Sequence, residues 1–145
     1  RRQRLMCIRD SHHAVASRAA SDEYGHDGTV YRAMKLPEDV ISQYTVEKDS
    51  RLNVFAWSGF TSCTSDAATC LGFVDSYDLN TVFVIETGGP NLRPLKLECK
   101  WSKYPEEKEV LFPPLTYLKP ESMTGQAVGS APHDCTVITV RPQWA

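Results

Sequence analysis

At 145 residues and 16.3 kDa the chain fits one domain long enough to bury a core, and 41% hydrophobic against 23% charged residues is a globular mix rather than a disordered one. The 16 Lys and Arg against 18 Asp and Glu leave a formal charge of -2, with no basic excess to grip nucleic acid or anionic lipid. Apolar runs such as Val82-Phe83-Val84-Ile85 fall far short of a membrane span, and Arg1-Arg2-Gln3-Arg4 leads into no signal-peptide core.

Leu5, Ile8, His12, Val15 and Ala19 recur at spacings of three and four, one face of an amphipathic helix that the polar stretch around Gly25 ends. Thr29-Val30-Tyr31-Arg32-Ala33-Met34 is rich in β-formers and reads as a strand. Pro37 with Glu38 and Asp39 marks a helix start, with acids on the positive end of the dipole. Val54 to Trp57 and Phe60 to Thr64, parted by Gly59, predict an interrupted strand, and Asp66 to Phe73 a short helix broken at Gly72. Thr81 to Glu86 predicts a central strand, and Gly88-Gly89-Pro90 a turn. Leu95, Leu97 and Cys99 alternate with Lys96 and Glu98, as in a half-buried strand. Glu109 to Phe112 reads as a strand stopped by Pro113-Pro114, and Leu115 to Leu118 and Thr136 to Val140 complete the set. Helices first, strands after and short connections predict an α+β fold with mainly antiparallel sheets.

The five cysteines (Cys7, Cys63, Cys70, Cys99, Cys135) show no pair separated by two residues, so zinc-ribbon and thioredoxin patterns are absent; reduced, mostly buried thiols are expected, with a secreted chain carrying one or two bridges as the alternative. The four histidines have no ligand partner at metal spacing, and no metal is expected. Because the chain opens on Arg rather than Met, an excised domain or a processed product is expected.

Three pieces carry chemistry. Arg32 sits in an otherwise apolar strand, where a guanidinium needs a carboxylate or an anion; an internal salt bridge and a bidentate phosphate clamp both satisfy it. Phe60-Thr61-Ser62-Cys63-Thr64-Ser65-Asp66 is dense in hydroxyls, which either cap the next helix or orient a carboxylate or sugar. Tyr104-Pro105-Glu106-Glu107-Lys108-Glu109 brings acids to the start of a strand. Period two puts Glu107 and Glu109 on one face, either as an exposed acidic edge or with something cationic before them.

Together, in this order, Tyr31-Arg32, Phe60-Thr61-Ser62-Cys63-Thr64 and Glu107-Lys108-Glu109-Val110-Leu111 resemble the mono-ADP-ribosyltransferases of the Arg-Ser-Glu-x-Glu class, the cholera-toxin-like and vertebrate ecto-transferase branch. That family has an aromatic-Arg pair, then Phe-x-Ser-Thr-Ser, then Glu-x-Glu before an apolar strand. The chain departs from it at Ala33, where Gly is usual, and at Cys63 and Thr64, where Thr and Ser are usual. Only 31 residues precede Arg32, so the helical lobe that walls the family's cleft is expected to be short.

The resemblance implies an ADP-ribosyltransferase-like fold: two mainly antiparallel sheets around an NAD cleft, with short, mostly N-terminal helices and one catalytic domain over 1–145. It implies NAD as co-substrate and an exposed arginine of a target protein as acceptor. Arg32, Ser62, Glu107 and Glu109 become the catalytic set. Glu109 stabilises the cationic ribose and holds its 2′-hydroxyl, Ser62 orients Glu109, and Arg32 holds the phosphate or ribose region. Ala33 meets the nicotinamide amide through its backbone, and Thr64 joins the NAD contacts. Glu107 receives the guanidinium, with Trp101 and Tyr104 as an aromatic platform. An NAD glycohydrolase at the same site and a silent NAD-binding or interaction module are the alternatives. A poly-ADP-ribose polymerase is not expected, because position 32 is Arg rather than His, nor a Rossmann dehydrogenase, because G-x-G-x-x-G is absent. A monomeric domain of a larger chain is expected, and cytosolic, cell-surface and secreted-effector settings all fit.

Overall fold

The computed structural model describes residues 25–44, 54–87, 94–96, 104–124 and 135–143. Within them run β1 (Gly28–Met34), a one-turn helix α1 (Glu38–Ile41), β2 (Phe55–Trp57), β3 (Thr61–Thr64), α2 (Ala67–Tyr77) and β4 (Thr81–Thr87). Then come β5 (Leu95–Lys96), a 3-10 turn (Pro105–Glu107), β6 (Glu109–Phe112), β7 (Thr116–Thr124) and β8 (Thr136–Gln143). The expected N-terminal helix, the turn at Gly88 and the far end of the Leu95–Cys99 strand lie outside the described residues.

The strands form one eight-stranded mixed sheet in the order β2-β7-β8-β4-β1-β3-β6-β5. Every pairing is antiparallel except β4 with β8. The expectation of two sheets is corrected: hydrogen bonding is continuous. The continuity is thin at one place, where β1 meets β3 through the single pair Tyr31–Thr64. By contrast β1 follows β4 over its whole length, from Gly28–Thr87 to Met34–Thr81, and all of β3 follows β6.

Two other expectations need correcting. The longest described helix is α2, between β3 and β4. It passes Gly72 and continues to Tyr77, ending at Asp78 in the left-handed region (φ 51°). A lone glycine costs a helix only about 1 kcal/mol, and the apolar face of Cys70 and Val74 against the sheet outweighs that. Likewise β7 runs beyond Leu118 through Pro120, because a register shift between Pro120 and Ser122 absorbs the missing amide.

The main core gathers Val30, Phe83, Ile85, Val110, Phe112, Leu118, Ile138 and Val140, all buried. A second cluster of Cys70, Val74, Val82 and Cys135 lies under α2. Phe83 joins the main core to an aromatic group, with ring centroids 5.3 Å from Tyr44, 5.4 Å from Trp57 and 6.0 Å from Phe55. Edge contacts of this kind add to the area that each ring buries. Phe83→Ala should therefore cost about 3–5 kcal/mol of stability, read as a large fall in melting temperature, and Phe83→Leu much less. An unchanged melting temperature in Phe83→Ala would show that the aromatic group does not hold the core.

Candidate active site

The thin joint between β1 and β3 creates the site. After Tyr31–Thr64 the two strands part, and a cleft of about 260 Å³ opens beside them. Arg32 and Ala33 come to it from β1, Ser62 to Thr64 from β3, and Glu107 and Glu109 from the turn and strand beyond. The three sequence pieces thus meet in one place, and all six of those cleft residues named from sequence (Arg32, Ala33, Ser62, Thr64, Glu107, Glu109) line it. Tyr104 is exposed, stands before the 3-10 turn and is not among the lining residues. Trp101 lies outside the described residues.

Arg32 bridges the parted strands. Its Nη1 donates to the Ser62 carbonyl at 2.6 Å, and its guanidinium carbon sits 5.6 Å from the Trp57 ring centroid. Trp57 is thus a neighbour that sequence reasoning missed. Among the described residues, the ion pairs join Lys35 to Asp78 and Arg141 to Glu86 and Glu121, and Arg32 belongs to none of them. The internal salt bridge considered from sequence is absent there. Arg32 Nε is buried with no hydrogen-bond partner. A buried donor left unmatched is costly, so the bond from Nη1 to the Ser62 carbonyl carries the anchoring of this side chain.

Glu109 opens β6 opposite Thr64, and its Oε1 accepts a hydrogen bond from Ser62 Oγ at 2.5 Å. Ser62 itself pairs with Leu111, so its hydroxyl reaches diagonally across the ladder. The short distance is characteristic of a hydroxyl on a charged carboxylate, and it fixes the Glu109 rotamer.

Glu107 is not on the strand with Glu109, contrary to the period-two expectation. It ends the 3-10 turn, and Lys108 between them is left-handed, with φ 46° and ψ 52°. Pro105 starts the turn, and three acids in close succession favour a solvated bend over a longer strand. The carboxylates still share the cleft, with the Arg32 cation across from them.

Sulfur forms part of the floor. Burial pushes both the Cys63 and the Cys70 thiols up to about 12, and for Cys63 the nearby Arg32 charge offsets part of that rise. Both stay protonated at neutral pH and are no nucleophiles. Cys63, Cys70 and Cys135 are free and buried, as expected, while Cys7 and Cys99 lie outside the described residues.

The remaining wall was missed from sequence: Tyr31, Phe73, Tyr77 and Leu79. Phe73 and Tyr77 stand one helical turn apart on α2, with ring centroids at 6.2 Å. Cys70, Phe73 and Tyr77 at spacings of three and four would have shown this face, had the helix not been ended at Gly72. Among the described residues no group of three His, Cys, Asp or Glu side chains could hold a metal ion, and no helix is long and apolar enough to cross a membrane.

No protein-family model matches the chain, and no curated protein matches its sequence. Solved structures do match. The ADP-ribosyltransferase HopU1 of Pseudomonas syringae superposes at a TM-score of 0.66 and 19% identity over 84% of this chain and 48% of that one. The fold is that of the ADP-ribosyltransferases. Vis, an ADP-ribosyltransferase from Vibrio splendidus solved with agmatine, gives 0.60 at 19% identity, over 84% of this chain and 52% of its own. Exoenzyme S from Pseudomonas aeruginosa, solved with human 14-3-3 protein beta and carba-NAD, gives 0.51 at 14% identity, over 78% and 46%. The chain spans about half the length of these structures.

Arg32→Lys tests the bridge. Lysine keeps the charge but loses both the fork and the stacking surface over Trp57. It should lower stability by about 1–2 kcal/mol, seen as a lower melting temperature without any ligand. A melting temperature equal to that of the parent chain would mean that the bond to the Ser62 carbonyl does not hold β1 and β3 in place.

Proposed function

We propose that this chain is a mono-ADP-ribosyltransferase of the Arg-Ser-Glu-x-Glu class, which moves ADP-ribose from NAD to an arginine side chain of a target protein and releases nicotinamide. One observation carries the reading: Ser62 Oγ holds Glu109 Oε1 at 2.5 Å in a cleft that also contains Arg32 and Glu107. That is the arrangement that cleavage of a glycosidic bond to a charged leaving group requires.

NAD brings a bond between ribose and a cationic nicotinamide, whose departure leaves positive charge on the ribose carbon. A carboxylate fixed in advance beside that carbon stabilises the charge as it develops, with no reorganisation at the moment of reaction. Glu109 takes this role, and Ser62 keeps its rotamer. Arg32, which lines the cleft, offers its guanidinium to anionic or ribose oxygens of NAD. Ala33, on the cleft side of β1, meets the nicotinamide amide through its backbone. The carba-NAD bound to Exoenzyme S supports a dinucleotide in a cleft of this fold.

Glu107 serves the acceptor. Its carboxylate binds an arginine guanidinium and takes a proton as the nitrogen attacks. Agmatine, the ligand solved with Vis, is a guanidinium compound, and this supports the same acceptor chemistry here. The target is a protein with an exposed arginine, and an effector or toxin role fits the type III effector XopAI and the Vis toxin, which share the fold.

Two substitutions separate the roles. Glu109→Gln removes the charge that faces the ribose, so nicotinamide release and arginine modification should both fall by about a hundredfold or more. Glu107→Gln removes only the guanidinium partner, so arginine modification should be lost while slow NAD hydrolysis persists. Parallel assays of free nicotinamide and of modified arginine check both. Nicotinamide release that survives in Glu109→Gln would take Glu109 out of the mechanism. Equal loss of both activities in Glu107→Gln would place Glu107 in the NAD step instead.

A further inference from the structure

The two carboxylates of the cleft are held by two different hydroxyls in two different ways. Ser62 reaches the Glu109 side chain. Thr64, two residues on, reaches the main chain of Glu107 instead: its Oγ1 donates to the Glu107 carbonyl at 2.6 Å. A hydroxyl carries one proton, so this bond fixes its direction. The Asp66 amide donates to the same Oγ1 at 3.1 Å and occupies a lone pair. The residue is 4% exposed, so water does not compete for either bond.

Ser65 continues the clamp. Its amide donates to the Lys108 carbonyl at 3.1 Å, and its hydroxyl points to the same carbonyl at 3.4 Å. Lys108 is where the backbone needs holding. Its φ of 46° is costly for any residue with a Cβ, and such a conformation persists only where the surroundings over-determine it.

We propose that Thr64 is a positioning residue for the acceptor. Its hydroxyl anchors the Glu107 main chain and, with Ser65, holds the left-handed Lys108 turn that aims the Glu107 carboxylate at an incoming guanidinium. Ser62 thus governs the NAD half of the reaction through Glu109, and Thr64 governs the acceptor half through Glu107. The inference rests on the proposed transfer to a guanidinium. Small displacements of a group that must meet a nucleophile are expensive: about 1 Å costs about a hundredfold.

The test uses the whole chain with NAD, and agmatine as the guanidinium probe. Thr64→Val keeps the shape and removes the hydroxyl, whereas Thr64→Ser keeps the hydroxyl and removes the methyl. Thr64 also lines the cleft, so the readout is a ratio: Thr64→Val should lose about tenfold to a hundredfold more in kcat/KM for agmatine than in nicotinamide release without agmatine. Thr64→Ser should keep the parent chain's ratio of the two activities. Melting temperatures are taken for each, because an unmatched Glu107 carbonyl can destabilise the variant. Should Thr64→Val unfold at the assay temperature, Thr64→Cys, close in size to Thr64→Ser and a far weaker donor, replaces it in the comparison. Equal loss of both activities in a folded variant overturns the proposal, as does loss of neither. A parent chain that makes no ADP-ribosyl-agmatine removes the arginine reading itself, and this inference with it. A parent chain that modifies agmatine, with the folded variants unchanged, sinks this inference alone.

Discussion

The site depends on two strands failing to stay together. β1 and β3 share one residue pair, Tyr31 with Thr64, and are otherwise bound to different neighbours. A full ladder between them would close the cleft. A complete break would let the two parts of the sheet drift and take Arg32 away from Ser62. The bond from Arg32 to the Ser62 carbonyl spans the opening and fixes its width. A long, charged and planar side chain suits that task, because it crosses several ångströms and still has donors left over at the far side. Its support comes from Trp57 on the sheet's outer strand β2, and Trp57 in turn packs on Phe83 in the core. The geometry of the opening is therefore tied to the best-packed part of the molecule.

Within that opening, two acids of the same motif rest on different foundations. Glu109 belongs to a ladder and inherits its rigidity from β3 and β6. Glu107 belongs to a tight turn whose direction is set by a lysine in an unfavourable backbone region. A group that must sit beside one fixed ribose carbon benefits from a strand. A group that meets the side chain of another protein gains from standing on a turn, where the partner has room to approach. Under the proposed function, the division matches the different demands that the two halves of the transfer would make.

Much of this arrangement is legible in the amino-acid sequence. Glu109, Ser62 and Arg32 lie on strands that β-branched and aromatic residues mark clearly, so their placement follows from local pattern, and the three strands meet as the resemblance implies. What escapes are features set by tertiary context. Gly72 looks like the end of a helix because its local cost is visible in sequence, while the sheet surface that repays the helix for continuing is not. That error hides Phe73 and Tyr77, which line the cleft. Period two places Glu107 on the strand because nothing in Glu-Lys-Glu marks the lysine as left-handed. The joint between two expected sheets is a single pair, and no pattern in either strand announces whether one pair forms or none.

The sulfur atoms beneath the cleft bear on how robust the chemistry is. Cys63 and Cys70 line the same cleft as Arg32, Ser62 and Glu109, yet each is walled off from water and keeps its proton well above neutral pH. Peroxides and electrophiles attack thiolates, so these two positions offer little for them to attack. Where a threonine would contribute another polar group, Cys63 contributes bulk and polarisability without a charge. The floor under Arg32 and Ser62 thereby gives oxidants little to act on.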